Sequence, residues 1–285
     1  MKLTNNLSLP QPIVDAVRND SYDGPKDAKS ISVTTLLKPA RIVALERKHA
    51  DEIEEDVSDR IFSLCGQVVH GILERADKTG IAERRLSIEV EGWKVSGQMD
   101  RYLDGLLQDY KFVTAYKFKD AGVPEEYEQQ LNVYAEILRQ NGHTVTRMQI
   151  VGILRDWSKM EARRDPAYPQ TQIVIRDVPL WPSEAVQKFI RERVILHKQA
   201  QTFLPTCSDD DVWARPNIYA VMKKGKERAV KLYGSKTEAD THADGDASLS
   251  VEFRPGQRIR CENYCSVSQF CTQYQQTLNK NGEVA

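Results

Sequence analysis

Asp100, Asp109 and Lys111 are the residues whose types and spacing best suit chemistry. They lie in Ser96-Gly-Gln-Met-Asp100-Arg-Tyr-Leu-Asp-Gly-Leu-Leu-Gln-Asp109-Tyr-Lys111. Asp104-Gly105 suits a two-residue hairpin turn, because both of its central positions take φ > 0. Counting outward pairs Leu103 with Leu106 and then Asp100 with Asp109, at a non-hydrogen-bonded site where Cα atoms are about 4.5 Å apart. Like charges placed there repel. A divalent cation between them removes the conflict, since hard cations take carboxylate oxygens. Lys111 projects from the same face as Asp109. Such a patch can hold a metal, a phosphate and a water. Taken alone, the same residues also describe a solvent-exposed hairpin with scattered charges.

The neighbouring elements must position this patch. Residues 52–77 read as one amphipathic helix, with Ser58, Phe62, Cys65, Val69, Ile72 and Ala76 at three- and four-residue steps. Gly66, His70 and Glu74 form a second stripe, which presents His70 toward the sheet. Gly66 there leaves room for another backbone or a substrate. Strands are predicted over 86–92, 95–103 and 106–113, a helix over 125–140, strands over 144–154 and 171–178, and a helix over 183–202. Gln130 and Tyr134 are one turn apart and can face one site. Tyr134 can equally pack with Tyr127 and Leu131, whereas Gln130 can contact a phosphate or hold the lysine. This order predicts a mixed α/β fold, a mixed sheet flanked by helices.

The chain has 285 residues, 40% hydrophobic and 28% charged, with a net charge of −1. That is enough to bury a core without disulfides. Any nucleic-acid partner must be met by a local basic surface, because the whole chain is not basic. No apolar run approaches the roughly 20 residues of a membrane span, and the N-terminus lacks a signal peptide's apolar core. The expected location is the cytoplasm, where cysteines serve metals more often than disulfides. Predicted divisions are an arm over 1–30, a core over 31–205, a basic and cysteine-rich region over 206–275, and a disordered tail over 276–285. Residues 234–248 read as polar and mobile.

The ordered series Gly66-x-x-x-His70, Gly97-x-x-Asp100, Asp109-x-Lys111 and Gln130-x-x-x-Tyr134 resembles the RecB-like nucleases of the PD-(D/E)xK superfamily. The resemblance covers residues 31–200. It implies a restriction-endonuclease-like fold and DNA cleavage with Mg²⁺ or Mn²⁺. By position, His70, Asp100, Asp109 and the carbonyl of Tyr110 are the implied metal ligands. Lys111 would orient or activate the attacking water, and Gln130 and Tyr134 would support DNA binding and the shape of the site.

A second constellation follows Arg254-Pro-Gly. Cys261, Cys265 and Cys271 form a C-x3-C-x5-C cluster, which in a reducing compartment points to a metal, with buried free thiols as the alternative. Cys207 is the better fourth ligand, since Cys65 sits on an apolar helix stripe and reads as core. RecB-like exonucleases of CRISPR-associated and phage types carry a four-cysteine [4Fe-4S] cluster, often with one cysteine ahead of the nuclease core. Here no cysteine stands near Leu37-Lys38-Pro39, and a Cys₄ site suits Zn²⁺ as well. The basic segment Lys223 to Lys231, between Tyr219 and Tyr233, is either a solvated face or a phosphate contact through Lys223 and Lys224.

Together these features predict a metal-dependent DNA exonuclease of recombination, repair or phage DNA processing, acting on single strands or duplex ends, with a recombination or replication protein as a further partner. The alternatives are a non-catalytic DNA-binding scaffold with a structural metal, and a nuclease acting on RNA.

Overall fold

The computed structural model describes residues 2–19, 27–78, 84–119 and 122–282, without the side chains of 279–282. Gly24 and Pro25 of the expected arm lie outside the described residues. The chain divides into two compact units, one of residues 1–43 and 54–203, the other of 44–53 and 204–285. The sequence reading places 44–53 in the core, but these residues cluster with the second unit.

The first unit contains β1 (Lys2–Thr4), α1 (Gln11–Arg18), β2 (Ser30–Ser32), α2 (Val33–Leu37) and the start of α3 (Ala40–Lys48). It continues with β3 (Glu54–Asp56), α4 (Ile61–Ala76), β4 (Arg84–Val90), β5 (Trp93–Met99), β6 (Arg101–Leu103) and β7 (Leu106–Val113). Then come α5 (Glu125–Gln140), β8 (Arg147–Leu154), α6 (Lys159–Arg164), β9 (Ile173–Asp177) and α7 (Ser183–Gln199). The principal ladders run in the orders β2-β5-β4 and β6-β7-β8-β9, while β1 pairs with β3. β7 and β8 are parallel, which requires a crossover, and α5 supplies it. This is the expected mixed α/β architecture, with helices packed on mixed sheets.

The hairpin forms as its turn residues dictate. Asp104 and Gly105 have φ of 47° and 85°, and Leu103 pairs with Leu106 and Arg101 with Gln108. The ladder stops there, so Asp100 and Asp109 are not a backbone pair. Instead the Asp100 side chain turns onto the strand and accepts from the Tyr110 N–H at 2.6 Å.

α5 is the central helix, with both apolar and polar residues buried along its length. Its acidic first turn (Glu125, Glu126, Glu128) suits the positive end of the helix dipole. Its buried polar groups are satisfied, as such burial demands. Asn132 donates to the carbonyls of Glu128 and Pro179, and Glu136 accepts from Ser183 Oγ and Gln187 Nε2.

Several expected elements differ. The helix over 52–77 begins only at Ile61, because Asp56 caps a short 3₁₀ turn at Ser58 and Glu54–Asp56 pairs with the N-terminal strand. Its apolar stripe is not a core seam. No residue of α4 is buried, Phe62 is 61% exposed, and Cys65 is half-buried. Gly66 borders open space, so no packing demands it. The arm carries β1 and α1, and the strand expected from 144 starts at Arg147.

The second unit contains the remainder of α3, then β10 (Ala214–Arg215), β11 (Ile218–Lys223), β12 (Lys231–Tyr233), α8 (Lys236–Ala243), β13 (Leu249–Arg254), β14 (Gln257–Arg258), α9 (Ile259–Asn263) and α10 (Thr272–Gly282). Strands β12-β11-β13 form an antiparallel sheet, and α8 packs on it. The segment read as mobile over 234–248 therefore holds a helix, and the tail read as disordered is helical to Gly282. Residues 283–285 lie outside the described residues. Among the described residues, no helix is long and apolar enough to cross a membrane.

Candidate active site

Chains of hydrogen bonds and ion pairs bring the six candidate side chains together. His70, on α4, places Nδ1 3.2 Å from Asp100 Oδ1, while the other oxygen of Asp100 takes the Tyr110 N–H. Tyr110 also meets the His70 ring edge-on, with centroids 6.4 Å apart. On β7, Asp109 Oδ2 lies 2.5 Å from Lys111 Nζ. That ammonium donates to Gln130 Oε1 at 2.9 Å, and Gln130 Nε2 donates to the Tyr134 hydroxyl at 3.0 Å. The Lys111 ammonium also stands 5.1 Å from the centre of the Tyr127 ring, an attractive arrangement for a cation. His70, Asp100, Asp109, Lys111, Gln130 and Tyr134 all line one cavity of about 470 Å³.

The local sequence explains this convergence. Along β7, Leu107, Asp109 and Lys111 alternate onto one face, and Leu107 and Asp109 are both buried. A carboxylate thus occupies a strand position whose neighbour belongs to the core. Tyr134 is both packing and site residue: its ring is part of the core cluster, and its hydroxyl meets Gln130. Gly97 makes room for that ring, since a Cβ there would fall 2.5 Å from Tyr134 Cε1.

Electrostatics mark out Asp109. Burial pushes its carboxyl up to about 6; Lys111 pulls it down, Asp100 pushes it further up, and His70 pulls it down. Its Oδ2 is buried and lacks a geometrically formed hydrogen bond, despite the adjacent ammonium. Oxygen donors of this kind, with one imidazole, are the set that Mg²⁺ or Mn²⁺ accepts. Among the described residues, no three His, Cys, Asp or Glu side chains stand in a ligating arrangement; the carboxylates are turned onto Lys111, His70 and the Tyr110 N–H. The donor types fit a hard cation, and His70, Asp100 and Asp109 are the residues that would hold it.

The sequence reading missed part of the cavity wall. Ser63 and Gln67 of α4, Ser32 and Thr34, and Arg85, Ser96 and Gln98 of β4 and β5 also line it. The alternation of Ser96 and Gln98 on one face of β5 was a usable signal. Arg85 needed the β4–β5 register.

In the second unit, burial raises the Cys261 thiol, and Cys265 and Cys271 add to the effect. Burial likewise raises Cys265, with Cys271 contributing. Cys271 thus stands near enough to act on both Cys261 and Cys265. Cys207 is tied to the same region: Gln273 accepts from its N–H and donates to its carbonyl, both at 2.9 Å. Cys65 belongs to α4 of the first unit. Lys223 ends β11 and Lys224 follows it, both exposed. Tyr219 and Tyr233 are cross-strand partners.

No protein-family profile matches this chain, and no curated protein does. Among solved structures, the chain is similar to SSO0001 at 18% identity over 67% of this chain and 86% of that one, with a TM-score of 0.46. It is also similar to a candidate exonuclease from Eubacterium rectale at 21% identity, over 47% of this chain and 53% of that one, with a TM-score of 0.31. The chain thus spans about half of the second protein. The functional reading rests on the site itself.

Proposed function

We propose that this protein is a metal-dependent DNA exonuclease that hydrolyses phosphodiester bonds. One observation carries the reading: Asp109, Lys111, Gln130 and Tyr134 form a continuous hydrogen-bonded and ion-paired series in the cavity that also holds His70 and Asp100. A bound Mg²⁺ or Mn²⁺ would polarise the phosphate and acidify a water. His70, Asp100, Asp109 and the Tyr110 carbonyl are its proposed holders.

The remaining chemistry belongs to the chain. Lys111 Nζ is held from two sides, by Asp109 and Gln130. A fixed ammonium needs no reorganisation when negative charge builds on the phosphate, so its stabilisation is realised in the transition state. Gln130 is a neutral acceptor and aims Lys111 without cancelling its charge. Tyr134, by taking the Gln130 amide N–H, fixes which end of that amide faces the lysine. Asp109 ionises above about pH 6, the form that both the ammonium and a cation need.

The cysteine region belongs to the same proposal. Cys207, Cys261, Cys265 and Cys271 are assigned as ligands of a structural [4Fe-4S] cluster, with Zn²⁺ as the alternative. Protein purified without oxygen separates the two: brown colour and bound iron support the cluster, whereas a colourless, zinc-containing protein supports Zn²⁺.

The function is tested by digesting end-labelled linear and circular DNA, single- and double-stranded, and a matching RNA, with Mg²⁺ or Mn²⁺. Wild type should degrade linear DNA, and Lys111→Ala should not. Intact DNA binding with no cleavage by wild type would overturn the catalytic reading in favour of a scaffold. Cleavage of RNA alone would overturn the assigned substrate.

A further inference from the structure

We infer that Arg85, aimed by Gln98 and Ser96, binds a second phosphate of the polynucleotide, next to the one being cleaved. This deepens the reading of the cleft as a nuclease site and rests on it. Arg85 lies on β4, directly opposite Gln98 of β5. Its Nη2 donates to Gln98 Oε1 at 3.0 Å, and its Nη1 lies 3.5 Å from Ser96 Oγ. Gln98 and Ser96 are neutral acceptors, so these two contacts orient the guanidinium without themselves adding negative charge. All three residues line the cavity that holds Asp109 and Lys111.

The placement follows from strand geometry. Ser96 and Gln98 alternate along β5 and share a face. Asp100 follows the end of β5 at a bend, two residues after Gln98, and Arg85 stands beside Gln98. A cation on the wall of the cavity that also holds the metal-ligand candidate Asp100 suits a repeating anion, in which one charge sits at the reacting centre and the next lies alongside. A guanidinium is the group for that role, because its planar fork can take two oxygens of one phosphate. Arg85 is thus a positioning residue: it sets the register of the strand and does not touch the reacting atoms.

The test is a cycle between a protein change and a substrate change. In the substrate, one linkage at a time near the end of a short single-stranded oligonucleotide becomes an uncharged methylphosphonate. In the protein, Arg85 becomes Gln or Lys, with thermal melting to check that each variant folds. Binding is read by fluorescence anisotropy with Ca²⁺ in place of Mg²⁺, and cleavage as kcat and KM with Mg²⁺.

Wild type should lose about tenfold in affinity when one particular linkage is neutralised, the scale of a hydrogen bond to a charged group. Arg85→Gln should bind the natural strand about tenfold more weakly and lose nothing further at that linkage. Arg85→Lys should recover part of the loss, and the defect should sit mainly in KM. Equal losses for wild type and Arg85→Gln at every linkage would overturn the proposal, as would binding of the natural strand that is indifferent to Arg85→Gln. Because the coupling is read in binding, an absence of cleavage by wild type would count against the nuclease reading alone.

Discussion

The two units solve the same problem, holding reactive polar groups in place, by opposite means. The first unit supports its site with a large core: the largest fully buried side chains, from Ile31 to Ile190, all lie there. β7 and α5 contribute buried residues to that core, and the unit buries a carboxylate at Asp109 and an amide at Gln130. The second unit has little to spend. Apart from Leu45 and Ile53, its buried hydrophobic residues are small, among them Ala220, Val221, Ala239 and Val267, while Trp213, Phe253 and Tyr264 remain exposed. A unit with so thin a core needs a staple, and its cysteines are the candidates. In the first unit, folding energy supports the site; in the second, the proposed metal would support the fold.

The largest effect that would sharpen this contrast is loss of catalysis in the first unit without loss of its fold. Asp109→Asn should lower the cleavage rate by at least about a hundredfold while its melting temperature is kept or raised. An unfolded Asp109→Asn protein would show that the carboxylate belongs to the core and would break the comparison. The reverse is expected in the second unit. Removing the proposed metal with a chelator, or making Cys271→Ala, should cost residues 204–282 at least about a hundredfold in hydrogen-exchange protection. β7 and β8 should stay protected. Equal protection with and without metal would leave the second unit without its staple.

The cost of burying Asp109 is itself measurable. Its folded value, about 6, lies above the ordinary 3.8. The folded state therefore holds a proton that the unfolded state releases, and stability from this group is fully present below about 3.8 and lost as pH rises through about 6. Denaturation of the metal-free protein from pH 3.5 to 7 should show this decline in wild type, superimposed on the response of its other groups. Asp109→Asn should lack it. A parallel pH response in the two proteins would remove the buried-charge argument.

What the sequence discloses about these units differs for the same physical reason. The Asp104-Gly105 turn and the extent of α5 are local properties, and each is found where chain chemistry places it, whereas the strand expected over 95–103 breaks at Asp100 into β5 and β6. The joining of Lys111 to Gln130 is also foreshadowed, because a neutral amide on a helix face has few other uses. Arg85 is hidden because its place depends on the β4–β5 register, a non-local fact. α4 misleads because periodicity reports amphipathicity, and an amphipathic face need not be covered. In the second unit, α8 and α10 have weak patterns and read as mobile; contacts with β11, β13 and the end of β12 order α8.

A smaller effect probes how tightly the first unit is built. Gly97→Ala would place a methyl group against the Tyr134 ring and within 3.2 Å of Val33 Cγ2. Relief requires the ring to move, which strains a packed core by about 1–3 kcal/mol and turns the hydroxyl from Gln130. The variant should melt lower and cleave more slowly, with kcat affected more than KM. Unchanged kcat with a lowered melting temperature would separate Tyr134 from the aim of Lys111.

The smallest effect belongs to the exposed hairpin between β11 and β12. Lys223, Lys224, Lys226 and Arg228 stand in solvent there, so each contributes through screened attraction. Charge reversal at Lys223 and Lys224 together should weaken DNA binding severalfold and flatten its dependence on salt, because fewer counterions are released on binding. The cleavage rate at saturating DNA should not change, since these residues touch no group in the cavity. If salt dependence is unaltered, the hairpin is only a solvated turn, and the second unit contributes to DNA binding elsewhere or not at all. If the maximal rate falls with the affinity, the separation of roles between the units is wrong: DNA held by the small unit would then be setting the geometry at Lys111.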